Sequence, residues 1–467
     1  MKRRDFLASG AAALATVPWF PPARAAQGEF RTLTAMQGRA ALRGKGHPAT
    51  AIWGYDGAAP GPVLRLSQGK EFRLRLVNRL AQPTSTHWHG IRVPNAMDGV
   101  SGLTQEPAPP GGGFDYVFSP PDAGTYWYHT HNRSWEQMAR GLHGMLVVAE
   151  KNPPRVDHDI PLVVDDWRLD KQGQIHEKSF GAIRDWAHGG RIGNWITVNG
   201  GLDPEFKVKA GDRVRLRILN AANARIAQLA FPDHKPTIIA FDGQPVAPRP
   251  LGDRPLVVAP GQRVDLMIDM SLAPGSEAPV AFTMRDRSIA IASFRYDPGA
   301  PRRDNPLDAP IRLPDNPLPG PLELATAKEV ALHMEGGAMG RMRGATLKGR
   351  ALTMRELVKA GKVWAFNGVA GMPDVPLLRI QRGRTAVIDM NNDNAWPHAM
   401  HLHGHHFRVV RRAGKPVTAG PWRDTELIMP RERVAIAFVA DAPGKWLLHC
   451  HMLEHQAGGM ITWIEVV

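Results

Sequence analysis

The sequence predicts an all-β protein of three β-sandwich domains in tandem, and two observations carry that prediction. The first is an internal repeat: "WGYDGAAPGPVLRLSQGKEFRLRLVNRL" from Trp53, "WITVNGGLDPEFKVKAGDRVRLRILNAA" from Trp195 and "WAFNGVAGMPDVPLLRIQRGRTAVIDMNND" from Trp364. Each copy holds a Trp-led strand, an apolar-alternating strand, a turn glycine, and a second alternating strand that ends in Asn. Glycine to Asn is nine residues every time, at Gly69/Asn78, Gly211/Asn220 and Gly383/Asn392. Period-2 alternation about a glycine turn predicts antiparallel strands. The second observation is spacing: the glycines lie 142 and 172 residues apart, about one β-sandwich each. Helical periodicity is sparse, and "TLKGRALTMRELVKAGK" near 346–362 is the best helix candidate.

Taken in order, residues 1–25 read as an export signal: the basic head Lys2-Arg3-Arg4, a short apolar stretch from Phe6 to Val17, and Ala23-Arg24-Ala25 as an A-x-A cleavage site. The stretch is far short of the roughly 20 residues a membrane span needs. Arg3-Arg4 before Asp5-Phe6-Leu7 resembles a twin-arginine signal, so the Tat export machinery is an expected partner and the periplasm the expected location. Residues 26–150, 151–297 and 326–467 are the three predicted domains. Between the last two, 298–325 reads as an extended linker, with eight prolines in the 24 positions from 298 to 321. A single cysteine, Cys450, excludes an internal disulfide. Net charge is +14, of which the signal supplies +3, leaving +11 on the mature chain. No basic run is interleaved with aromatics, which argues against nucleic acid as a partner, and no second apolar run argues for membrane insertion. A monomer is expected.

Of 19 histidines, eight form four HxH pairs: His87/His89, His129/His131, His401/His403 and His449/His451. Residues i and i+2 of a strand share a face, so each pair offers two imidazoles side by side. Two pairs belong to the first domain and two to the third, and the middle domain has none. "PPDAGTYWYHTH" and "DAPGKWLLHCH" each place a glycine five residues before the first His, at Gly124/His129 and Gly444/His449, so these two domains match at their metal-binding pattern. Cys450 lies between His449 and His451 and must face the other way, toward His398, His455 and Met460. One thiolate, two imidazoles and a weak thioether make the ligand set of a blue-copper centre. Zinc accepts Cys and His as well, but does no redox work and leaves the second cluster unexplained. The remaining histidines, His405 and His406 among them, read as structural or surface residues, or as hydrogen-bond partners that orient the ligands.

HxxHxH at 398–403 and HCHxxxHxxxxM at 449–460, with HWHG and HTH upstream, resemble a three-domain bacterial multicopper oxidase of the laccase or cuprous oxidase kind over essentially the whole mature chain. The resemblance implies three cupredoxin-like Greek-key β-sandwiches and four copper ions per chain. It assigns His398, Cys450, His455 and Met460 to type 1 copper, and His87 and His401 to type 2. His89, His129, His131, His403, His449 and His451 fall to the type 3 pair. It further implies single-electron oxidation of a donor at type 1 copper and four-electron reduction of dioxygen to water.

Oxygen reduction consumes protons. Asp98, eleven residues after His87, matches an acid that relatives place near the trinuclear site. Bacterial relatives often carry Glu directly after the second type 1 histidine; here Gln456 stands there, and Glu454, read on an alternate strand position, is the candidate substitute. The expected donors are phenols, aromatic amines or cuprous ion. Met334, Met339, Met342 and Met354, with His333, form a modest cluster where cuprous-oxidising relatives carry a methionine-rich segment. The reading from another class is a non-catalytic periplasmic copper binder or scaffold on the same fold, against which stands the full ligand complement. A two-domain nitrite reductase is disfavoured by the third repeat.

Overall fold

The computed structural model describes residues 29–303, 307–310, 312–418 and 420–467, so the signal segment lies outside the described residues. Three pairs of sheets follow one another along the chain. The first pair holds four strands in each sheet, and the second and third pairs hold six and five. Each pair encloses its own apolar core. In the first, Leu33, Leu74 and Tyr116 of one sheet meet Leu64, Tyr128 and Leu146 of the other. The second and third cores are assembled in the same way.

The repeated segment has one conformation in all three copies, though it differs from the predicted antiparallel pairing. Gly69, Gly211 and Gly383 have φ of +73°, +84° and +81°, the left-handed region glycine enters without a side-chain clash. The turn, however, carries the chain from one sheet to the other. The strand before it (Leu64–Ser67, Glu205–Val208, Leu378–Ile380) pairs in parallel with the last long strand of its domain. The strand after it (Phe72–Asn78, Arg213–Asn220, Thr385–Asn392) pairs in parallel with the first. Alternation reports a half-buried strand without naming its partner, so the pairing does not follow from it.

The Asn closing each repeat has a structural cause. Asn78, Asn220 and Asn392 are wholly buried. Each donates through Nδ2 to two backbone carbonyls: Gln82 and Ala108, Arg225 and Val258, Trp396 and Met429. Each accepts through Oδ1 from the N–H two residues on. Three bonds from one buried side chain pin the loop that follows, and in the third domain this loop leads to His398.

The helix candidate near 346–362 is helical only over Met354–Lys359, capped by Thr353 and Glu356 in a reciprocal box. The residues before it form a hairpin, Gly344–Leu347 against Arg350–Thr353. Gly349, with φ +72°, turns that hairpin.

Candidate metal centre

Two strands in each outer domain deliver the histidines. His87 lies directly across from His129, and His401 directly across from His449. All eight rings of the four HxH pairs are at most 7% exposed, and the first and third domains bring them into one cluster. His89 stacks on His401 with centroids 3.6 Å apart, and His87 on His403 at 3.9 Å. Several three-residue groups with ligand atoms within 4.8 Å of one another share members: His87/His401/His403, His87/His89/His129 and His131/His403/His449.

Backbone and carboxylate oxygens hold the outer ring nitrogens. Nδ1 of His87, His129, His401 and His449 donates to the carbonyls of Asp98, Thr130, Asp424 and Cys450 at 2.7–3.0 Å. That fixes the tautomer and leaves Nε2 unprotonated and facing inward. Nε2 of His87, His131 and His401, and both nitrogens of His451, have no hydrogen-bond partner. Buried polar atoms are almost always bonded, so these orphaned lone pairs fit metal ions. Burial, reinforced by the neighbouring imidazoles, holds His129, His131, His403, His449 and His451 well below the ordinary imidazole range, and they are neutral and able to ligate.

The second group lies one residue away on the opposite face. Cys450 pairs with Met400, while His398 is three residues before His401 and so faces the other side of its strand. Cys450 Sγ is 3.5 Å from His398 Nδ1 and 3.7 Å from His455 Nδ1. Both Nε2 atoms are engaged, His398 with Asn394 Oδ1 at 3.0 Å and His455 with the His188 carbonyl at 2.6 Å. Burial lowers the His455 pKa to about 4 and pushes the Cys450 thiol up to about 12. A thiolate there requires a bound cation, the service a copper ion provides. Met460 is fully buried in the same core, and its carbonyl accepts from the Cys450 N–H at 3.1 Å.

Asp98 is fully buried between two of the rings, with Oδ1 3.3 Å from His87 Nδ1 and Oδ2 3.0 Å from His403 Nδ1. Glu454 sits on the short helix Leu453–Ala457, not on a strand as expected, because the strand ends at Cys450. One carboxylate oxygen accepts from Asn223 Nδ2 at 2.9 Å, the other has no partner, and burial raises its pKa. Gln456 accepts from Ser134 Oγ. His405 bonds the His403 carbonyl and His406 bonds Gln244. The methionines lie in different environments. Met334 is wholly buried, Met342 and Met354 pack around Leu357, Met339 is 71% exposed, and His333 faces Asn391.

Sequence reasoning missed the support from the middle domain. Arg263, fully buried, donates to both oxygens of Asp424 at 2.8 and 2.6 Å. Asp424 Oδ1 in turn lies 3.1 Å from His89 Nε2 and 3.5 Å from His401 Nδ1. Neither residue carries a local motif; only the three-dimensional juxtaposition reveals them. Asn394 and His188, which cap His398 and His455, were equally invisible.

Two clusters of soft and imidazole donors joined by one Cys-centred strand define a copper oxidoreductase of the cupredoxin type. Sequence comparison agrees: three domains described as multicopper oxidase match residues 38–153, 158–298 and 348–467. Multicopper oxidase MmcO of Mycobacterium tuberculosis is 30% identical over all of this chain and 96% of its own. A multi-copper oxidase crystal structure from Pseudomonas thermotolerans superimposes with TM-score 0.81 and 33% identity, covering 94% of this chain and 99% of that one. Lac15, from a marine microbial metagenome, gives TM-score 0.75 and 36% identity over 94% and 100%. The chain belongs to the multicopper oxidase family. It is a copper enzyme that couples one-electron oxidation of a donor to reduction of dioxygen to water.

Proposed function

We propose that this enzyme is an exported, monomeric oxidase of phenolic donors acting in the periplasm after Tat export, with domains at 26–150, 151–297 and 326–467. Type 1 copper falls to His398, Cys450, His455 and Met460. Type 2 falls to His87 and His401, and the type 3 pair to His89, His129, His131, His403, His449 and His451. The observation that carries the assignment is the placement of Cys450 between His449 and His451, with its sulfur on the opposite face beside two neutral imidazoles. When bound, copper supplies the one-electron steps. The protein's own part is to keep the imidazoles neutral, aim their free lone pairs inward and exclude water from both clusters.

Asp98 is the proposed proton source for the oxygen side, since it touches His87 and His403 together. Glu454 is the proposed proton-relay partner near type 1, a buried carboxyl whose pKa burial raises above the ordinary carboxylate value.

A second donor, cuprous ion, is favoured by one observation. Met339 is exposed beside Ala338, whose carbonyl accepts from Trp396 near the type 1 histidines. One thioether makes a poor cuprous site, so the phenol is preferred.

The test is oxygen uptake by copper-loaded protein, with Cu(I) in one anaerobically charged cell and a methoxyphenol in another, alongside copper analysis of Cys450→Ser. The proposal expects uptake with the phenol, and loss of the blue absorption and of uptake together in the variant. Uptake with Cu(I) alone replaces the donor; uptake that survives Cys450→Ser refutes the electron-entry assignment.

A further inference from the structure

The outer nitrogen of His455 does not face solvent. It is covered by the His188 carbonyl at 2.6 Å, on the segment that follows the helix Ile183–Ala187 of the middle domain. On the far side of His188 opens a cleft of about 640 Å³. Two of its walls are aromatic: the rings of His188 and Trp396 meet edge to face at 5.2 Å. Trp396 is held in place by donation from its Nε1 to the Ala338 carbonyl and from its backbone N–H to Asn394 Oδ1. Asn394 is the residue that also caps His398. The cleft therefore abuts both type 1 imidazoles through single intervening groups, and a volume of this size accommodates one substituted benzene ring.

Its charge is one-sided. Arg168 and Asp185 line it but neutralise one another in a bidentate pair. Lys178 and Arg184 also line it and make no ion pair among the described residues. Glu177, adjacent in sequence, is turned away onto Arg140 at 2.6 Å. Two free cations thus stand at the mouth of an aromatic slot, and no thiol or thioether lines it. Such a lining repels a bare cuprous ion and attracts an anion. An arginine and a lysine within one slot suit a carboxylate, which accepts from both.

We propose that this cleft is the donor site and that it selects aromatic donors bearing a negative charge, that is, carboxylated phenols, with Lys178 and Arg184 as the partners of the carboxylate and Trp396 and His188 as the walls for the ring. The inference rests on the phenol-oxidase reading above and narrows it to a charge class. The oxidised phenol loses one electron and one proton, the electron toward His455 and the proton to bulk water.

The test has a binding arm and a kinetic arm. In the first, copper-loaded protein is titrated calorimetrically with 4-methoxybenzoate and with methoxybenzene, neither of which has a phenolic hydroxyl to oxidise. In the second, KM is measured for 4-hydroxy-3-methoxybenzoate and for 2-methoxyphenol. Two solvent-exposed charge contacts predict at most about a tenfold preference for the anion at low salt. The preference shrinks as salt shortens the screening length to about 10 Å near 0.1 M. In Lys178→Glu/Arg184→Glu the ratio of anion to neutral binding falls to one or below, and Lys178→Gln/Arg184→Gln lies between. Equal binding of the two probes, or a ratio the charge reversal does not move, overturns the inference. If neither phenol supports oxygen uptake, the phenol-oxidase reading fails instead; uptake with 2-methoxyphenol but no anion preference sinks the charge inference alone.

Discussion

Arg263 lies in the domain that contributes no metal-binding histidine, yet its removal is expected to harm the metal centre. Its guanidinium is fully buried and donates to both oxygens of Asp424 and to the carbonyls of Thr125 and Gly261. Arg263→Met leaves the Asp424 carboxylate buried without its cation. Breaking one partner of such a pair costs about 3–5 kcal/mol, because the stranded charge bears its desolvation alone. The pH dependence gives the mechanism a signature. Burial works to raise the Asp424 pKa, but Arg263 overrides it and holds the carboxyl well below the ordinary range. In the wild type that pairing is therefore present above the ordinary carboxylate pKa and lost as pH falls. In the variant burial is opposed only by the remaining contacts, those with His89 and His401 among them, so the folded pKa rises and the penalty grows as pH rises. The gap between the two proteins should widen from pH 4 to pH 7. Urea unfolding of copper-free protein, followed by tryptophan fluorescence across that range, measures it. Asp424→Asn in the Arg263→Met background should recover about 2 kcal/mol at pH 7, since it removes the stranded charge. A double variant no more stable than Arg263→Met, or a gap independent of pH, would falsify the argument.

Other consequences concern neighbouring features of the fold. Asn220→Ala deletes three buried hydrogen bonds and should cost about 3 kcal/mol in urea unfolding while leaving the blue absorption of the folded protein intact. Asn392→Ala should cost a similar amount and also shift that absorption, because its loop holds Asn394 against His398. At Gly99, φ is +83° and an added Cβ would lie 1.9 Å from the Thr86 carbonyl oxygen, so Gly99→Ala must displace the Asp98 turn. Copper per chain, read by elemental analysis, should fall in that variant. Finally, burial lowers His143, His406 and His455 to about 4, so the stability they contribute is present above pH 6.5 and lost as pH falls through about 4. Copper blocks protonation of its ligands but not of His143 or His406, so the copper-loaded protein should unfold at a lower pH than the copper-free one, as circular dichroism can follow. Coincident acid midpoints would contradict this.

What the sequence revealed and what it hid follow from the range of each interaction. Strand periodicity and HxH spacing are local: a two-residue repeat dictates which imidazoles share a face, and a one-residue offset puts Cys450 on the other. That is why the clustered imidazoles could be gathered from the sequence, and why parity alone places the chain's one thiol opposite its flanking histidines. Pairing partners are not local. The glycine turn between Leu64–Ser67 and Phe72–Asn78 looks like a hairpin from alternation alone, yet its strands enter different sheets. The same distinction separates the two shells of the metal centre. The imidazoles sit on strands whose pattern announces them, whereas the oxygens that set their tautomers come from carbonyls, whose chemistry every residue shares, and from Asp424, which needs an arginine 161 residues away to stay ionised. Because the middle domain supplies that arginine, and also the His188 carbonyl over His455 and part of the cationic cleft, its lack of metal-binding histidines does not make it a spacer. It governs access to one cluster and the electrostatics of the other.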